Sequence, residues 1–293
     1  MENIVSCPVC GEKTFNPFIQ CKDFSISKEL FNIVECAQCG FVFTNPRPGE
    51  KDISQYYNSE IYISHHANKG GIIPWIYRKV RGLQFIYKTN IIKSYFKTPV
   101  SILDIGCGTG DFLKYCETFN WKTIGVEPDS DARKQAGEKG IPVYEVAHLN
   151  ELKDKFDVIT MWHVLEHVND LAERMEQLKR LIKDDGILII AVPNRNSMDA
   201  RYYKSYWAAY DVPRHLSHFT TESISNLFRK YDFNLVETLP MKYDAYYVSL
   251  KSEEYKGHNF LITMYNGAIN GLLSNNDARK TNEYSSVIYV FKK

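Results

Sequence analysis

The residues whose types and spacing suit chemistry fall into separate groups along the chain. Gly106, Gly108 and Gly110 stand at every second position after the mostly apolar run 100–105, whose one acidic member is Asp104. A second apolar run, 123–126, ends on Glu127. A buried strand that runs into a glycine turn and then a helix lets backbone come close to a ligand, because glycine has no Cβ and takes positive φ freely. An acidic side chain at the tip of the second strand accepts from ribose hydroxyls. Together these residues read as a nucleoside site. The G-x-G-x-G spacing departs from the G-x-G-x-x-G of dinucleotide folds. A further apolar run, 156–161, puts Met161, Trp162 and His163 at the carboxyl end of its strand, where open α/β sheets bind their ligands.

The cysteines make the second group. Cys7-Pro-Val-Cys10-Gly and Cys36-Ala-Gln-Cys39-Gly are two C-x-x-C pairs, each followed by glycine. Such pairs read as the two knuckles of a zinc ribbon, here over residues 1–48, with Cys7, Cys10, Cys36 and Cys39 as ligands of a structural Zn2+. A closed four-cysteine site leaves no open position on the metal, so it organises a segment too short to build much core alone. Cys21, Cys107 and Cys116 are left as small core or loop residues.

The third group is histidine-rich. His163-Val-Leu-Glu166-His167 matches the H-x-x-E-H of inverted zinc proteases. That motif needs a long helix and a third ligand, whereas this one sits at a strand end, so the protease reading is set aside. Residues 193–219 are too long for an ordinary turn and carry Arg195, Arg201, Tyr202, Tyr203, Tyr206, Trp207, Tyr210, Asp211, Arg214, His215 and His218. Long loops at the ligand end of a sheet are functional more often than not, and this one reads as a substrate lid. The competing reading is an aromatic cluster that staples the insertion down.

These groups need strands and helices to hold them. Strands are expected over 100–105, 123–126, 143–146, 156–161, 186–192, 233–239 and 286–291, alternating with helices over 111–119, 169–183 and 221–231, plus two helices within 243–276. Between the cysteine module and the first strand, residues 74–97 have helical periodicity. Ile61 to Leu103 contains no acidic residue, while Lys69, Arg78, Lys79, Arg81, Lys88, Lys93 and Lys97 are basic. A solvated helix face is one reading; a landing surface for an anionic substrate is the other.

Residues 100–239 resemble the class I S-adenosylmethionine-dependent methyltransferases. LDIGCGTGDF is similar to that family's first motif, VEPD to its second, FDVITMWHVLEHV to its fourth-strand segment and LKDDGILIIAVPN to its fifth. The resemblance implies an α/β fold: a Rossmann-like seven-stranded sheet with helices on both faces, beside the small zinc ribbon. It implies S-adenosyl-L-methionine as cofactor, held by Asp104, Gly106, Cys107, Gly108, Gly110, Glu127, Pro128, Met161, Trp162 and His163. It divides the chain into 1–48, a linker and basic helix at 49–97 covering the cofactor site, and a methyltransferase domain at 98–293 with insertions at 193–219 and 240–284. YDVPRHLSHFT resembles the substrate-side loop of a broad bacterial methyltransferase group. Some O-methyltransferases, the ubiquinone-pathway and small-RNA 3′-end enzymes among them, hold a divalent metal with E-x-x-E-H. Glu166 and His167 match that pattern and His163 departs from it, so local pairing of Glu166 and packing of His167 is the preferred reading.

Methyl transfer needs in-line alignment, and a hydroxyl acceptor also needs a base, most naturally a histidine at neutral pH. His163 and His215 are the candidate bases and Tyr210 the residue that positions the acceptor. The formal net charge of +1 gives no global field for nucleic acid or membrane. The acceptor favoured, mostly by the family resemblance, is a small molecule or sugar, anionic or carrier-linked, methylated on oxygen or carbon. An RNA methyltransferase with a zinc module and a non-catalytic cofactor sensor are the alternatives. MENIVSCPVC lacks a basic and an apolar signal region and no apolar run reaches membrane-spanning length, so the expected location is cytoplasmic.

Overall fold

The computed structural model describes residues 1–57 and 72–293, with side chains in the first helix described from Val80 onward. Tyr62, Lys69, Gly70, Gly71 and the side chains of Ile76, Arg78 and Lys79 lie outside the described residues. The chain divides into two compact units: 1–57 with 163–176 and 190–293, and 58–162 with 177–189.

The first unit opens on an antiparallel hairpin, β1 (Phe15–Lys22) with β2 (Leu30–Cys36), continued by β3 (Val42–Thr44). Cysteine turns flank the hairpin. In each, the glycine after the second cysteine sends its N–H back to the first cysteine's carbonyl, Gly11 to Cys7 at 2.9 Å and Gly40 to Cys36 at 3.0 Å. Both glycines have positive φ, +83° and +66°, which is why glycine stands there.

The second unit carries α1 (Ile72–Tyr95), β4 (Ser101–Ile105), α2 (Asp111–Glu117), β5 (Lys122–Val126), α3 (Ser130–Glu138), β6 (Val143–Tyr144) and β7 (Phe156–Trp162). β4 runs parallel to both β5 and β7, and its Ile102, Leu103 and Ile105 are almost wholly buried. Strands covered on both faces read as apolar runs and not as alternating ones, which is the pattern of 100–105. Beyond it come α4 (Leu171–Leu181), β8 (Ile182–Pro193), α5 (Met198–Tyr203), β9 (Ser217–His218) and α6 (Thr221–Arg229). The chain closes with β10 (Asn234–Pro240), α7 (Asp244–Tyr255), α8 (Phe260–Thr281) and β11 (Ser286–Lys292).

The sheet has seven strands in the order β10-β11-β8-β7-β4-β5-β6, with β11 antiparallel to β10, so the expected α/β architecture is met. The second sheet, β1-β2-β3-β9, was not legible in the sequence. Its last strand comes from the long loop after β8, with Val42 opposite His218 and Phe43 opposite Ser217. Residues 207–220 are almost all buried, so this part of the loop is packed into the first unit. Among the described residues no helix is long and apolar enough to cross a membrane.

Candidate functional site

In the second unit the glycine loop is closed by backbone hydrogen bonds. Gly106 and Cys107 donate to the Val126 carbonyl at 2.6 and 3.2 Å, and Gly110 donates to Cys107 at 3.1 Å. Gly106, Gly108 and Gly110 all have positive φ. A Cβ on Gly108 would meet nothing within 4 Å, so the space over the loop is open. Glu127 is 2 % exposed; one of its oxygens accepts from Gly108 N at 2.8 Å and the other from Asp129 N at 3.0 Å. Desolvation raises its pKa and the two backbone donors hold it back. A carboxylate has about four acceptor sites, so two remain for a ligand's hydroxyls.

Asp104 sits at the end of β4, accepting from Thr160 Oγ1 at 2.6 Å. Burial raises its pKa to about 7, against the pull of Thr160 and Lys88. Such a carboxyl ionises readily once a cation reaches it. Trp162 stands against Phe112 edge-on with Lys88 Nζ 4.0 Å over its ring, and its buried indole N–H has no partner among the described residues. Met161 is fully buried and Pro128 exposed. The Cys107 sulfur turns inward: a Cβ on Gly125 would lie 2.4 Å from it. Only the backbone of Cys107 is offered to a ligand.

The described basic residues of α1 are engaged within this unit. Arg81 pairs with Asp111 at 3.0 Å, Lys88 covers Trp162, and Lys93 Nζ lies 3.3 Å from the Phe119 ring centroid.

In the first unit the chain turns sharply after β7. His163 takes a left-handed φ of +57° and its N–H donates to Ala191 O at 2.9 Å. Its ring lies between two carboxylates, Nδ1 at 3.2 Å from Glu166 Oε1 and Nε2 at 2.9 Å from Asp244 Oδ2. Burial alone would push its pKa down; the carboxylates outweigh it and lift it to about 10. An imidazolium has no lone pair, so in this geometry His163 is a cation that organises Glu166 and Asp244.

Glu166, His167 and His215 form a cluster whose ligand atoms all lie within 4.8 Å of one another. Each histidine has its Nδ1 at a backbone carbonyl, His167 at Arg214 O (3.0 Å) and His215 at Ala209 O (2.8 Å). Donation from Nδ1 leaves each Nε2 with its lone pair. Desolvation and the neighbouring His215 lower the His167 pKa to about 4, so it is neutral at pH 7. Glu166 is 1 % exposed and its Oε2 has no partner among the described residues. Ring nitrogens oriented by carbonyls, beside an open carboxylate oxygen, are what a divalent cation binds.

Other candidates in the loop have structural duties. Arg214 donates to both oxygens of Asp211, to Asp23 at 3.4 Å and to Tyr56 O at 3.0 Å. It ties the β1–β2 turn to the loop and leaves no donor pair facing outward. Tyr210 is 4 % exposed, packs edge-on against Trp207 and His218, and has its phenol pKa raised by burial. Tyr210, the residue expected to position the acceptor, thus lies within this aromatic packing. His218 bonds Thr44 Oγ1 at 3.1 Å. Sequence reasoning missed Asp244, for which an acidic residue opening a helix was the available signal, and it missed His215 as the third member of the Glu166 cluster.

The four cysteines near the N-terminus also cluster, with sulfurs 3.6 Å apart for Cys7 and Cys39 and 3.5 Å for Cys10 and Cys36.

A protein of Rhodopseudomonas palustris named ubiquinone biosynthesis O-methyltransferase is 29% identical over 102 residues, 32% of this chain and 40% of that protein. An uncharacterised protein of Methanocaldococcus jannaschii is 30% identical over 142 residues, 45% of this chain and 56% of its own length. The chain thus spans about half the length of these curated relatives. Among solved structures, a putative sarcosine dimethylglycine methyltransferase from Galdieria sulphuraria shares the fold with a TM-score of 0.52 at 13% identity, over 74% of this chain and 88% of that one. The methyltransferase-domain family matches residues 79–238, more than half of the chain and the whole stretch from β4 to β8, and the chain belongs to that family.

Proposed function

We propose that the chain is an S-adenosylmethionine-dependent methyltransferase acting on a small-molecule or sugar-type acceptor, at oxygen or carbon. The observation that carries the reading is Glu127, a buried strand-tip carboxylate braced by Gly108 N–H with acceptor sites to spare beside open space. S-adenosylmethionine, when bound, supplies a methyl group on a sulfonium that loses its positive charge as the methyl leaves. Glu127 would hold the ribose hydroxyls, Asp104 the cofactor's ammonium, and the backbone of 106–110 its carboxylate end. Trp162 has an indole N–H still to be satisfied, which fits a neighbour with acceptor atoms.

For the acceptor, His215 is the base this reading keeps, its Nε2 lone pair made available by the Nδ1 bond to Ala209. A second reading is favoured by the open Glu166 Oε2: a first-row divalent cation on Glu166, His167 and His215 that lowers the pKa of an acceptor hydroxyl. The engagement of Arg81, Lys88 and Lys93 weighs against RNA as acceptor.

We further propose a structural Zn2+ on Cys7, Cys10, Cys36 and Cys39. A tetrahedral ion with metal–sulfur bonds near 2.3 Å sets its sulfurs about 3.8 Å apart, close to the 3.5 and 3.6 Å separations here. Chelation should release about one equivalent of zinc and unfold the hairpin.

Calorimetric titration of S-adenosylmethionine into the zinc-loaded protein tests the main reading. Binding on the order of −8 kcal/mol, a micromolar affinity, is the expected result. Absence of heat from well-folded protein would leave the sensor and enzyme readings without a cofactor.

A further inference from the structure

The turn after β10 and the later half of α8 enclose a cavity of about 250 Å³ within the first unit. Lys242, Tyr243 and Tyr246 line it from the turn and the start of α7; Asn275 and Arg279 line it from α8. Asn275 is 7 % exposed, and its Nδ2 donates to the Lys242 carbonyl at 2.9 Å. That bond fixes the amide's orientation, since a flipped amide would set oxygen against oxygen. Its Oδ1 is thus a buried acceptor with no donor among the described residues. A buried acceptor is costly unless something supplies an O–H or N–H.

On the rim, neither the Lys242 ammonium nor the Arg279 guanidinium has an ion-pair or hydrogen-bond partner among the described residues. The ring of Tyr246 is held against α8 by the absence of a side chain at Gly271, where a Cβ would come within 2.6 Å of Tyr246 Cδ1. The cavity therefore offers two cations, one buried acceptor and aromatic surface, with no acidic group in its lining. Its first lining residue, Lys242, lies two positions before Asp244, the carboxylate that binds His163.

We propose that this cavity is a binding site for a phosphate monoester that also carries hydroxyl groups, the chemistry of a sugar phosphate. Lys242 and Arg279 take the phosphate oxyanion, Arg279 with its planar fork. The Asn275 Oδ1 accepts from a hydroxyl, and the tyrosines cover the ring. Two unpaired cations favour a doubly charged phosphate over a neutral sugar, and the orphaned amide oxygen favours a hydroxyl-bearing ester over phosphate alone.

The experiment is calorimetry on the full chain with glucose 1-phosphate, glucose and inorganic phosphate. It is repeated on Lys242→Gln and Arg279→Gln, both exposed positions whose replacement leaves the core intact. Glucose 1-phosphate is expected to bind, glucose to fail, inorganic phosphate to bind more weakly and compete, and each variant to lose about tenfold in affinity. No binding of glucose 1-phosphate overturns the proposal, as does binding that both variants keep or equal affinity for inorganic phosphate. S-adenosylmethionine titrated into the same wild-type sample reads the other question separately. Cofactor binding without glucose 1-phosphate binding refutes this binding site alone, while the reverse refutes the methyltransferase reading and leaves the anion site standing.

Discussion

Glu127 and Glu166 are both glutamates at the carboxyl ends of strands or just beyond, and both are buried to within 2 % of complete. Their surroundings differ in kind. Glu127 meets only backbone N–H groups, and its ionised form is disfavoured by burial, so its pKa is raised. Glu166 faces the imidazolium of His163, whose hydrogen bond and charge outweigh burial, and its pKa is lowered. One oxygen of Glu166 is left open; neither oxygen of Glu127 is. The first carboxylate suits neutral hydroxyl donors, the second a cation. Burial alone predicts nothing about which ligand a carboxylate takes; the charge of its braces does.

The sharpest way to break that comparison is to remove Glu127. Glu127→Ala deletes the ribose acceptor and unties Gly108 and Asp129, and should weaken S-adenosylmethionine by about 100-fold in calorimetry. Glu127→Gln, which keeps one acceptor oxygen, should fall between. Equal affinity in all three proteins would show that the strand-tip carboxylate does not hold the cofactor.

Glu166→Gln asks for the opposite behaviour. The substitution is nearly isosteric and keeps a contact to His163, but it removes the charge that a divalent ion needs. Bound Mn2+ or Zn2+ beyond the cysteine-held equivalent, measured by elemental analysis after dialysis, should drop with an affinity loss on the order of 30-fold. Turnover should fall with it, while S-adenosylmethionine still binds. Wild-type protein that takes up no metal beyond the cysteine site would sink the cation reading and leave His215 as a metal-free base.

Those two glutamates were not equally readable beforehand, and the reason is distance along the chain. Both hydrogen bonds to the Glu127 carboxylate come from within residues 108–129, so glycine spacing and an apolar run are enough to find it. His163 was also visible, but its second partner Asp244 is 81 positions away, and without that carboxylate a histidine at a strand end reads as a base. Arg214 reads as an exposed substrate contact until Asp23, 191 positions away, takes its guanidinium. The β3–β9 pairing is the same problem in backbone form: Ser217-His218 has no strand periodicity to detect over two residues. Periodicity says which face of an element is buried, and C-x-x-C or G-x-G says what a loop does locally. Neither says which distant element arrives to neutralise a charge.

The smallest expected effect separates Glu127 from its neighbour Asp104. Desolvation lifts the Asp104 carboxyl to about 7, so near neutrality it is half protonated in the folded protein. The sign follows from which state holds the proton more tightly. The folded chain does, so this group's contribution to stability is fully present below the ordinary aspartate value of about 4 and is lost as pH rises through about 7. A bound ammonium reverses the preference by favouring the carboxylate. S-adenosylmethionine binding at pH 7 should therefore release about half a proton, and affinity should fall by about fivefold between pH 7 and pH 6. Titration in buffers of different ionisation enthalpy measures the proton directly. Asp104→Asn should abolish the release and flatten the pH dependence, while Glu127→Gln should leave whatever binding remains still coupled to a proton. A release that survives Asp104→Asn would move the ammonium's partner elsewhere, and leave Asp104 as a carboxyl that stays neutral to brace Thr160.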